Sequence, residues 1–127
     1  MDNAVKGIVA GGMGEGAFFM SMPHYKNEIM KKLGFAAYPG TLNIRIIPKH
    51  FDVLKKLKPI AITGFVSGAK KFGGAKCYTS KIKSIQGAVI VPDLTKHGND
   101  IMEFIAPVHV KTKLKIKDGD EVTMELQ

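Results

Sequence analysis

Short segments in which apolar and polar residues alternate run through this chain, and no long helical pattern separates them. The segments 42–46, 78–82 and 122–126 show this period of two, which is typical of strands with one buried face. Because strands and long helices do not follow one another in turn, a doubly wound parallel sheet does not fit. We predict a mostly β fold with roughly six to eight short strands in a small, mainly antiparallel barrel.

Helical signals are confined to short stretches of the chain. Residues 25–33 carry one apolar stripe at spacings near 3.6 after Pro23, and Gly34 supplies a stop, so this stretch is predicted to form a helix. The other local predictions are a strand at 18–22, a helical turn or two at 51–57, a hairpin loop or flap at 67–75, a buried strand at 88–91 and a helical turn at 113–116.

Size and charge narrow the class of protein. The 127 residues suit one domain, and the net charge of +8 fits either a solvated, lysine-rich surface or an anionic partner such as a nucleotide or nucleic acid. No apolar run approaches the ~20 residues that cross a bilayer, and the N-terminus lacks the pattern of a signal peptide. We therefore expect a monomeric cytoplasmic protein with no membrane partner, in which the lone Cys77 is a small buried residue.

A glycine-rich turn, Gly11–Gly16, follows the first apolar run. Glycines allow a ligand to approach the backbone, and successive N–H groups can form an anion-binding nest. An ordinary hairpin connection is the alternative. The segment Gly68–Gly74 resembles a P-loop but has Gly74 where the lysine of that motif stands, so a P-loop fold does not fit.

Thr41 and Asn43 lie two residues apart on a predicted strand, so their side chains point the same way. Their oxygens could face one Mg²⁺, which takes few protein ligands and completes its octahedron with phosphate and water. The alternative is that both residues form the solvent face of the strand.

Glu103 stands between bulky apolar residues. It is either on the wet face of a strand or a partly desolvated general base. Thr95 and His97 lie just upstream and either bind a polyol or phosphate or cap a turn. The histidines show no zinc spacing with one another or with Cys77.

Several motifs together, in this order, resemble the archaeal CTP-dependent riboflavin kinases. The combination of Pro39-Gly40-Thr41-Leu42-Asn43 with the upstream Gly14-Glu15-Gly16 turn is the most specific part of the resemblance, and residues 60–86 match poorly. The matching segments are Gly12–Gly16, Tyr25-Lys26, Leu33–Phe35, Tyr38–Asn43, Gly87–Pro92, Glu103–Pro107 and Lys117–Asp120.

The resemblance implies a six-stranded cradle-loop barrel of the riboflavin-synthase type over residues 1–127. It also implies transfer of the γ-phosphoryl group of CTP to the 5′-hydroxyl of riboflavin, giving FMN and CDP, with Mg²⁺ as cofactor. The implied metal ligands are Thr41 and Asn43, the implied flavin-binding residues are Thr95 and Glu103, and Glu103 is the candidate catalytic residue. The implied nucleotide-binding residues are Met13, Gly14, Glu15, Gly16, Ala17, Phe18, Val108, His109, Val110 and Lys111.

Two other functions stay open on the sequence. A kinase of the same fold could use ATP as donor or act on another acceptor. A barrel that binds DNA would suit the charge of +8, although DNA binding does not require a glycine turn paired with Thr41 and Asn43.

Overall fold

The computed structural model describes residues 3–12, 20–93 and 100–127. Nine strands and three helical segments make up this part of the chain. The strands are β1 (Ala4–Ala10), β2 (Leu42–Arg45), β3 (Ile60–Ile62), β4 (Phe65–Ser67), β5 (Lys70–Phe72), β6 (Ala75–Ile82), β7 (Ile85–Pro92), β8 (Ile101–Ile105) and β9 (Glu121–Leu126). The helical segments are α1 (Pro23–Leu33), α2 (Val110–Leu114) and a 3₁₀ helix (Pro48–Lys56).

Six strands close into an antiparallel barrel in the order β6-β7-β8-β2-β1-β9. Closure comes from β9, which returns to β6 through the pairs Ser80–Leu126 and Lys81–Glu125. The earlier half of the same edge of β6 pairs with β3 instead. The predicted mostly β barrel is confirmed, and closure leaves the six strands few open edges.

The interior of the barrel explains the alternation in the sequence. Val5, Val9, Val122 and Met124 alternate with more exposed neighbours on β1 and β9, and all four are buried. Burying side chains of this size contributes about 1.5–3 kcal/mol each. The inward faces of the strands therefore supply the main core.

A second core lies outside the barrel, between α1 and strands β3, β6 and β7. Tyr25 and Ile29 of α1 pack there with Ile62, Cys77 and Ile90. Burial raises the pKa of the Cys77 thiol to about 12, so it stays protonated at neutral pH and behaves as an apolar residue. This confirms that Cys77 is a packing residue.

The polar side of α1 covers the outer edge of β3. His24, Glu28 and Lys32 stand four residues apart on one face of the helix. His24 Nε2 lies 2.9 Å from the Thr63 carbonyl oxygen, Glu28 accepts from the Thr63 N–H at 3.1 Å, and Lys32 donates to the Ala61 carbonyl at 2.8 Å. We call this set of five residues the helix flank. Its side chains take the hydrogen bonds that another strand would otherwise make.

Most local predictions are confirmed. The helix from Pro23 ends as expected at Gly34, whose φ of 84° is in the left-handed region, and residues 65–72 form a hairpin from β4 and β5. The strand predicted at 18–22 is wrong for Met20–Met22, which are helical or in a turn leading into α1, because Met20 packs into the second core with the helix. Phe18 lies outside the described residues.

The last predicted helical turn is displaced in the structure. It was expected at 113–116, and α2 instead spans Val110–Leu114. Lys115 ends it with φ at 55°. Within the part of the chain that the structure describes, no helix is long and apolar enough to span a membrane.

Candidate active site

Strands β2 and β8 each bring one polar residue into the buried part of the barrel wall. Strand β2 lies between β1 and β8, and Asn43 is paired with Ala10 on one side and Glu103 on the other. Asn43 is 7% exposed and Glu103 is 3% exposed. The predicted alternatives of a solvent face for Asn43 and a wet strand face for Glu103 are therefore wrong, because both side chains are buried. They lie on the outer face of the barrel wall, since the residues that alternate with them belong to the barrel core: Leu42, Ile44, Met102 and Phe104.

Hydrogen bonds orient these buried groups. The Thr41 hydroxyl donates to Glu103 Oε1 at 3.0 Å and lies 3.3 Å from Asn43 Oδ1. Asn43 donates from Nδ2 to the Gly12 carbonyl at 3.0 Å, which fixes the amide so that its oxygen faces Thr41. Three side-chain oxygens from β2, β8 and the residue before β2 thus converge, and we call them the oxygen cluster.

The chemistry of the oxygen cluster suits a hard cation. It combines a hydroxyl, an amide carbonyl and a carboxylate, and Mg²⁺ prefers oxygen ligands of these kinds. Among residues 3–12, 20–93 and 100–127, no group of three or more His, Cys, Asp or Glu side chains could hold a metal ion. The oxygen cluster is a set whose donors fit Mg²⁺ with phosphate oxygens and water completing the shell.

A cavity of about 290 Å³ opens beside Thr41. The described residues around it come from three segments: Gly12 after β1, residues 38–42 before and within β2, and residues 108–111 at the start of α2. Phe104 and Ala106 complete this lining. Because Thr41 both lines the cavity and contacts Glu103, the oxygen cluster borders the cavity.

Aromatic rings form one side of the cavity. The rings of Tyr38 and His109 are 5.1 Å apart between centroids and tilted by 41°. The Tyr38 N–H donates to the Ala106 carbonyl at 2.8 Å, and His109 Nδ1 lies 2.6 Å from the Thr112 hydroxyl. These contacts hold two flat, partly polar groups against the opening, where a heterocyclic base could stack on them.

The structure brings together much of the site that the sequence predicts. Val108, His109, Val110 and Lys111 line the same cavity as Thr41, and Asn43 and Glu103 adjoin it through Thr41. Seven predicted residues lie outside the described residues, so their placement stays a prediction. These are Met13, Gly14, Glu15, Gly16, Ala17, Phe18 and Thr95.

Several cavity residues were not among the individually predicted site residues. Gly12 accepts the Asn43 amide, and Tyr38, Pro39 and Gly40 line the opening. Their position in the sequence is the signal that was available, since Gly12 belongs to the glycine turn and residues 38–40 directly precede Thr41.

A family model covers nearly the whole chain. The model named CTP-dep_RFKase, described as "Domain of unknown function DUF120", matches residues 9–126. The chain belongs to the CTP-dep_RFKase family. The match includes the glycine turn, the oxygen cluster and the cavity-lining residues 108–111.

Curated relatives of this member of the CTP-dep_RFKase family are archaeal. The chain is 43% identical over 123 residues to a riboflavin kinase of Pyrobaculum aerophilum, covering 94% of this chain and 59% of the relative. It is 44% identical to a riboflavin kinase of Pyrobaculum calidifontis, covering 94% and 58%. A riboflavin kinase of Methanococcoides burtonii is 38% identical, covering 95% and 56%. The chain thus spans a little under three fifths of the length of these relatives.

Proposed function

We propose that this chain is a CTP-dependent riboflavin kinase. In the proposed reaction the 5′-hydroxyl oxygen of riboflavin forms a bond to the γ-phosphorus of CTP. The bond from that phosphorus to the β–γ bridging oxygen breaks, the hydroxyl proton leaves, and the products are FMN and CDP. The observation that carries the proposal is the oxygen cluster at the border of a cavity lined by residues 108–111.

The nucleotide would lie against the segments around the cavity. Tyr38 and His109 offer ring faces to the base, and backbone N–H and C=O groups of residues 108–111 can pair with the amine and carbonyl of cytosine. Lys111 supplies a positive charge at the lining, as phosphate groups require. The glycine turn beyond Gly12 would contribute backbone N–H groups.

Thr41 and Asn43 would hold the divalent cation, with Glu103 at hydrogen-bond distance from Thr41. Bound there, Mg²⁺ would neutralise charge on the phosphates and orient them. Asn43 contributes its oxygen because Gly12 occupies its amide N–H. Since phosphoryl transfer requires chiefly positioning and charge neutralisation, these residues suit the reaction.

Glu103 is the candidate for handling the proton of the acceptor hydroxyl. One of its oxygens already accepts from Thr41 at 3.0 Å, and the side chain is 3% exposed. A carboxylate held in this way either accepts the proton or orients the hydroxyl, and both roles require the acceptor to reach the border of the cavity.

The direct test is to incubate the purified protein with riboflavin, Mg²⁺ and either CTP or ATP, and to separate flavins by chromatography. We expect FMN with CTP and much less with ATP. Equal rates with both donors would support kinase activity but contradict the preference for CTP over ATP. No FMN with either donor would contradict the proposed function, and DNA binding would then be measured.

A further inference from the structure

Asp118 touches segments on two sides of the cavity. Its Oδ1 accepts a hydrogen bond from Lys111 Nζ at 2.7 Å. Its Oδ2 lies 2.5 Å from the point where a Cβ on Gly11 would stand. Lys111 lines the cavity, as does Gly12, the neighbour of Gly11. The carboxylate therefore bonds a lysine of the lining and lies beside the start of the glycine turn.

Hydrogen bonds attach the backbone around Asp118 to β1 on one side and to α2 on the other. The Gly119 N–H donates to the Val9 carbonyl and the Val9 N–H donates to the Asp120 carbonyl, each at 2.8 Å. On the other side, the Ile116 N–H donates to the Lys111 carbonyl at 3.0 Å. The turn is thus attached to the end of β1 and to α2, which places the 58% exposed Asp118 side chain beside the Lys111 ammonium.

Lysine carries its charge on a flexible stem, and immobilising such a side chain on binding costs free energy. The Lys111 side chain is 34% exposed, and its ammonium is already held by Asp118 before any ligand arrives. We propose that Asp118 is a positioning residue that holds the Lys111 ammonium at the cavity for the phosphate groups of the nucleotide. This inference rests on the proposed function.

The proposal also explains the glycine at position 11. Gly11 is not among the residues with positive φ, so its backbone does not require glycine. A methyl group there would instead meet the Asp118 carboxylate. Glycine at this position therefore leaves room for the side chain that holds Lys111.

The test is calorimetric titration of CTP with Mg²⁺ into wild type, Asp118→Asn, Lys111→Gln and the double variant. We expect Asp118→Asn to raise the Kd of CTP by about two- to fivefold, the range of an exposed ion pair. In the Lys111→Gln background the same change should have no effect. Asp52→Asn is the matched control, since it removes an exposed carboxylate paired with Lys55 on the 3₁₀ helix, and its Kd should equal that of wild type.

Gly11→Ala tests the geometry without changing a charge. We expect it to weaken CTP binding in the wild-type background and to have no effect once Asp118 is replaced by alanine, because the obstruction is then gone. Folding of every variant is checked by its thermal unfolding.

Two other outcomes of the titrations would contradict the role of Asp118. Tighter CTP binding by Asp118→Asn would mean that the carboxylate only repels phosphate, and equal weakening in both Lys111 backgrounds would make Asp118 merely structural. Either result, obtained with a wild type that binds CTP, overturns this inference alone. A wild type that binds no CTP overturns the proposed function and this inference with it.

Discussion

On the helix flank, polar side chains pair chiefly with backbone N–H and C=O groups, whereas in the oxygen cluster three side-chain oxygens face one another. Glu28 Oε1 receives hydrogen bonds from the Thr63 N–H, the Thr63 hydroxyl and Lys32. In the oxygen cluster, the one hydroxyl proton of Thr41 lies within reach of both Asn43 Oδ1 and Glu103 Oε1. Three donors therefore meet one acceptor on the flank, whereas two acceptors of the cluster share the Thr41 hydroxyl.

We expect this difference to separate a stabilising arrangement from a binding one. Polar groups paired with backbone stabilise a fold, and several oxygens gathered at one place suit a cation. The flank covers the edge of β3, and the cluster lies at the border of a cavity. Variants in the two regions should accordingly separate stability from activity.

The largest effect is expected from Asn43→Ala. Removing a ligand of the cation should lower the rate of FMN formation by at least about 100-fold, while unfolding free energy changes by only about 1 kcal/mol through the lost hydrogen bond to Gly12. Steady-state rates and thermal unfolding measure the two quantities. Arg45→Ala is the control, since Arg45 is exposed on the same strand. A wild-type rate in Asn43→Ala would contradict the metal role.

Glu103→Gln tests whether Glu103 acts as a general base or only orients the substrate. The amide keeps the shape and can still accept from Thr41, but it cannot take up a proton. If Glu103 is the general base, the rate with saturating riboflavin falls by roughly 100-fold or more. A loss below tenfold, accompanied by a higher KM for riboflavin, would assign Glu103 to orienting the substrate.

Glu28→Gln is the matching change on the helix flank. In contrast to Asn43→Ala, we expect it to lower stability and to leave activity nearly unchanged. Loss of the charged hydrogen bonds to Thr63 and Lys32 should reduce the unfolding free energy by about 1–2 kcal/mol, with the rate of FMN formation changed less than twofold. Urea unfolding is the measurement. Asp52→Asn makes the same charge change on an exposed residue and should cost less than about 0.5 kcal/mol. Equal losses in both variants would contradict a specific role for the flank.

The smallest expected effect is on how the free energy of unfolding changes at acidic pH. The hydrogen bond from the Thr63 hydroxyl, followed by that from Lys32, lowers the pKa of Glu28 from 4.5 to about 2. A folded-state pKa below the unfolded value stabilises the fold above pH 4.5, and this contribution is lost as the pH falls toward 2. Unfolding measured between neutral pH and about pH 3 should therefore show a smaller loss of stability in Glu28→Gln than in wild type. Parallel curves would contradict the assignment.

Local patterns predicted the strands and the helix α1 because period two and period 3.6 are properties of a single segment. The same patterns failed where another strand decided the environment. Asn43 looks like a solvent-facing residue in its own strand, but pairing with both β1 and β8 buries it.

The helix flank shows the same limit. His24, Glu28 and Lys32 resemble the solvated face of a helix until β3 is placed beside them. Asp118 lies in the matching segment Lys117–Asp120, but its position beside Gly11 and Lys111 was not predicted, since the barrel brings these residues together. The resemblance to the kinase family supplied candidate residues, and the fold supplied the distances between them.

Binding of Mn²⁺ in the presence of CDP tests the central claim most directly. Electron paramagnetic resonance measures free Mn²⁺ for CDP alone and for CDP with wild type, Thr41→Val or Asn43→Ala. Wild type should bind the ion more tightly than CDP alone does, and both variants should lose this gain because each removes an oxygen of the cluster. Retention of wild-type Mn²⁺ affinity in both variants would contradict the account.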